Sequence, residues 1–132
     1  LLPAVMKSSG HLRALYSEPL YGTDRMPSKN FANRRWWVDG ENGDETPKDP
    51  YKLLKSTFSH ELLDGSPEVR YYQRFETISD GAGAMMAYTR AQSGTMNASI
   101  RDAIEASLKQ YCELDTLAMV MIMQAWRAEA GV

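Results

Sequence analysis

Ile100, Ile104, Leu108, Tyr111, Leu114, Ala118, Ile122 and Ala125 recur every three or four residues and draw one continuous apolar stripe. That is the period of an α-helix with one buried face. Asp102, Glu105, Lys109 and Glu113 keep the other side polar, Asn97 stands where a cap belongs, and Glu105 and Lys109 are spaced for an i,i+4 ion pair. After Asp115 the polar side vanishes, and between Leu117 and Trp126 only Gln124 is polar. A helix apolar all round must be covered on nearly all sides, either at the centre of its own domain or by another protein. Met119, Met121 and Met123 add deformable side chains that suit either setting.

Upstream the helical pattern continues with clear punctuation. Tyr51, Leu54, Phe58 and Leu62 fall at helical spacing after Pro50, with Gly65 as a stop. Ser66-Pro67-Glu68 then reads as a helix start, with a serine cap, proline at the first helical position and an acid in the first turn. The helix it opens runs toward Gln92 and Gly94, and the small residues of "DGAGAMMA" invite a break near Gly81.

Residues 1 to 50 differ in kind. They hold Pro3, Pro19, Pro27, Pro47 and Pro50, whereas residues 51 to 132 contain only Pro67. A short helix is expected over Ala4–Tyr16, weakened by Gly10. Ser17 to Pro50 shows no period, and a stretch that long inside a domain is usually functional or linker-like. Yet it carries Tyr21, Phe31, Trp36 and Trp37, which disordered linkers avoid. The pattern therefore predicts an all-α body of three to four helices over 51–132, with a long C-terminal helix. An extended, irregular arm over 1–50 precedes it, its aromatics laid against something.

Composition changes this picture mainly by exclusion. At 132 residues and 43% hydrophobic, the chain has the length of one domain and enough apolar content for a core. A net charge of −2 gives no electrostatic pull toward a polyanion. The single cysteine, Cys112, rules out an intrachain disulfide and reads as a small hydrophobe on an apolar helix face. The longest apolar run, Thr116 to Trp126, is about half the ~20 residues needed to cross a bilayer. The chain starts at Leu1, and no acid occurs before Glu18. That suits the downstream edge of a removed targeting segment, and so an organellar, mitochondrial location.

"HELLD", His60 to Asp64, has the first half of a helical zinc site but aspartate where the second imidazole belongs. "DGAGAMM", Asp80 to Met86, lacks both the third glycine and the preceding strand of a phosphate loop. "DGENGDE", Asp39 to Glu45, is acidic like a calcium loop but places Gly43 and Pro50 where ligands are required. Glu76, Asp80, Asp102, Glu105 and Glu113 form no recognisable catalytic pairing. No cofactor, metal or small-molecule substrate is indicated.

The densest signal is "NRRWWVDGENGDE", residues 33 to 45. Arginine beside tryptophan could stack on bases, but the four acids that follow would repel a nucleic-acid backbone. Both residue types are enriched in protein–protein hot spots. Arg34, Arg35, Trp36 and Trp37, with Met119, Met121, Met123 and Trp126, are accordingly the expected contacts with other protein subunits. The function expected is that of a non-catalytic accessory subunit in a larger, membrane-associated assembly, docking through arm and last helix. The alternatives are a free-standing helical adaptor and an enzyme with an unrecognised carboxylate site.

Overall fold

The computed structural model describes residues 1–41, 45–57, 81–94 and 96–132. Four α-helices occur among them: α1 Leu2–Ser8, α2 Gly10–Tyr16, α3 Gly81–Ala91 and the 33-residue α4 Ala98–Ala130. A 3-10 turn spans Pro50–Leu53, and the described residues contain isolated β-bridges but no strand. The chain is all-α with a long C-terminal helix.

The one short helix expected near the N-terminus is two. Ser9 sits between them in extended conformation and accepts a hydrogen bond from Leu12 N through its hydroxyl, so it caps α2. Gly10 becomes the first residue of a new helix, where its low propensity costs least. The expected helix beginning at Tyr51 is a single 3-10 turn that ends at Leu53; Leu54–Thr57 are not helical, and the rest of that segment falls outside the described residues. So do His60–Asp64, the Ser66-Pro67 start, Glu76 and Asp80.

Contacts divide the chain into two compact units, residues 1–53 with 113–132, and residues 54–112. The arm of the first fifty residues shares its unit with the end of α4. In the 54–112 unit, Ala87 of α3 packs with Met96 and with Ile100, Ala103 and Ile104 of α4. Ala84, Ala91, Leu108 and Tyr111 pack against that cluster. The small residues of α3 thus serve close helix packing. Asn97 caps α4 by accepting from Ser99 N (2.8 Å), and Lys109 meets Glu105 at 2.6 Å. Cys112 is exposed, because it lies off the buried stripe rather than on it.

In the other unit the arm is folded, not free. Tyr21 and Arg34 exchange both backbone hydrogen bonds, closing the loop between them. Gly22, at φ +82°, makes the turn; an added Cβ would lie 2.2 Å from the Phe31 carbonyl oxygen, so no larger residue fits. The backbone N–H groups of Trp36 and Trp37 both donate to the carbonyl of Tyr16, satisfying an acceptor at the end of α2. Without strands or long helices, the arm meets its backbone hydrogen-bonding needs by such turns, bridges and caps.

Candidate interaction surface

The arginine–tryptophan motif lies in no helix or strand, and both of its tryptophans turn inward. Trp36 is fully buried, edge-on to Phe31 (5.0 Å) and Tyr21 (5.9 Å). The Arg34 guanidinium lies 5.0 Å from the Trp36 ring and 6.0 Å from Phe31, and donates to the carbonyl of Leu53. Burial lowers its pKa, yet a guanidinium stays charged in proteins. Trp37 is 4% exposed, with Arg13 set 5.9 Å from its ring. Met121 is fully buried. Trp36, Trp37 and Met121 are therefore buried in the chain's own core, with Arg34 half-buried against it. Burial of so much aromatic area is what lets a segment without helical period stay folded.

Three tyrosines fasten the arm to α4. Tyr16 Oη donates to Gln124 Oε1 (2.8 Å), Tyr51 Oη to Asp115 Oδ1 (2.6 Å) and Tyr21 Oη to Glu113 Oε1 (2.7 Å). Gln124, the lone polar residue of the apolar run, is thus paired. Glu113 also accepts from Ser28 Oγ and from Asn30 Nδ2 (2.6 Å). Desolvation pushes its pKa up, but the donors from Ser28, Tyr21 and Asn30 outweigh it and hold the carboxyl below its ordinary value. Burial pushes the Tyr16 hydroxyl up to about 12, partly offset by the bond to Gln124. Burial, then the Glu113 carboxylate, raises Tyr21 further. Both phenols are consequently neutral donors, matched to neutral or ionised acceptors.

A cleft of about 710 Å³ opens beside this clasp, lined by Tyr21, Pro27, Ser28, Lys29, Glu113, Thr116, Leu117 and Val120. Its walls are mainly apolar. Its one carboxylate is kept ionised and saturated by donors, which suits holding a loop rather than giving up a proton.

Along α4 next to the cleft, Met119 (63% exposed), Val120 (45%), Met123 (48%) and Trp126 (55%) face outward. The expected all-round cover is therefore supplied on one face only: Leu114, Leu117, Ala118, Met121 and Ala125 are buried. Four large apolar side chains within eight residues exceed the scattered exposed hydrophobics of an ordinary surface. Arg35 is also exposed, beside Arg13 and Trp37 at a second, smaller cleft. No described helix is long and apolar enough to cross a membrane.

The sequence reading missed the Glu113 clasp. Its donors lie 83 to 92 residues away, and nothing local marks a carboxylate that will accept three hydrogen bonds. Compared with known proteins, the chain matches no family model, no curated protein and no solved structure.

Proposed function

We propose that the chain is a non-catalytic accessory subunit of a larger protein assembly, docking through the outer face of α4. The observation that carries this reading is the run Met119, Val120, Met123 and Trp126, exposed on a helix whose opposite face is already packed. Methionine and tryptophan together offer a deformable, high-area contact suited to a protein partner. Arg35 adds a charged contact from the arm, in keeping with the enrichment of arginine at interfaces.

Glutamate at both Met119 and Met123 tests it. Neither side chain is needed by the core, so the melting temperature should move by no more than about 2 °C. Co-isolation of the tagged chain with whatever docks on this face in its native source should fall at least tenfold. Undiminished co-isolation by a folded variant would sink the reading.

A further inference from the structure

We infer that the outer face of α4 is the seat of a second copy of this chain, paired antiparallel about a two-fold axis near Val120 and Met121. This rests on the docking reading above and names its partner. The exposed positions Thr116, Met119, Met123 and Trp126 are spaced three, four and three residues apart. That is the spacing of a helix–helix seam, so the occupant is a helix. Glu113, Val120 and Arg127 run along one flank of the seam at intervals of seven.

Self-complementarity identifies the helix. In the antiparallel register Met119 meets Met123 of the second copy, Val120 meets its own counterpart, and Trp126 meets Thr116. Trp126 and Thr116 are ten residues apart, about 15 Å along the axis. The two-fold axis lies midway, so both copies make the same contact at once and the interface closes on itself. Thr116 and Val120 line the 710 Å³ cleft, whose mainly apolar walls can receive an indole. The same register brings exposed Arg127 toward Glu113, a carboxylate whose negative charge is held at that cleft by its own donors, so the two flanks attract.

A parallel pair would instead set Trp126 against Trp126, leave the cleft empty and give Arg127 no acid on its flank. The antiparallel register has one unfavourable contact, Asp115 near Glu129 of the second copy. Both are exposed at the rim, where screening keeps the repulsion small.

Sedimentation or light scattering on the full 132-residue chain reads this directly. A single seam of modest area implies a dissociation constant on the order of 1–100 μM. Twice the 14.9 kDa chain mass should therefore dominate at roughly a few hundred micromolar and give way to monomer on dilution. Met119→Glu with Met123→Glu should remain folded and monomeric throughout. In a Cys112→Ser background, Val120→Cys should form an intermolecular disulfide at least tenfold faster than Ala128→Cys. A wild-type chain that stays monomeric, a dimer indifferent to the two glutamates, or equal cross-linking at both positions would overturn the proposal. Because the purified chain alone is measured, its failure is distinct from failure to co-isolate with other subunits.

Discussion

Replacing Trp36 by alanine should cost about 3–5 kcal/mol, the largest effect of any single truncation considered for this protein. The side chain is fully enclosed and its ring is the common neighbour of Tyr21, Phe31 and Arg34. Removing it leaves a cavity and also strips the aromatic face from a half-buried guanidinium that would then lie beside a void. Trp36→Phe should cost far less, about 1–2 kcal/mol, because the lost indole N–H is buried without a hydrogen-bond partner in the structure. Chemical denaturation of the two variants checks both values. Equal losses would mean the pyrrole portion of the ring, and not its aromatic contacts, supplies the stabilisation.

Glu113→Ala should follow, at about 2 kcal/mol at neutral pH. Three donors lose their acceptor at once, but Glu113 is only half-buried and water can replace part of what is lost. The effect carries a pH signature. The folded-state pKa is depressed, so the carboxylate's contribution is fully present above its ordinary unfolded value of about 4.3. It is lost as pH falls through the lower folded value. Wild type and variant should therefore differ fully at pH 7 and converge as pH falls below about 4. A stability difference unchanged between pH 7 and pH 3 would mean that the charge on Glu113 contributes nothing to the clasp.

How much of this was legible beforehand depended on sequence distance. α4 could be read because its signals are local: Asn97 caps within two residues, Glu105 meets Lys109 one turn on, and the buried stripe repeats with the helix. That its last part would be apolar all round was also plain. Which half of that circumference would be covered was not, since the cover comes from residues 1–53. The arm was opaque for a related reason. Its fold is set by bonds from Tyr16, Tyr21, Ser28 and Asn30 to acceptors 83 to 108 positions away, and by one glycine turn. Period and propensity carry no trace of such pairings.

The two tryptophans show the cost of that opacity. Arginine and tryptophan have the same composition in a hot spot as in a cation–aromatic core, so Trp36 and Trp37 read as handles until their burial was known. Met119 and Met121 make the same point within one helix. Two residues apart, they face opposite ways, and only the arm's position decides that Met121 is enclosed and Met119 is not.

The discontinuity of the 1–53 and 113–132 unit bears on how the protein is born. A ribosome delivers Trp36 and its aromatic neighbours many residues before it delivers Glu113 and Gln124. At about 5–20 residues per second, those rings wait several seconds without the helix that receives them. Through that interval the hydroxyls of Tyr16 and Tyr21 have no acceptor from α4, so the arm can be fastened only once the last twenty residues have emerged.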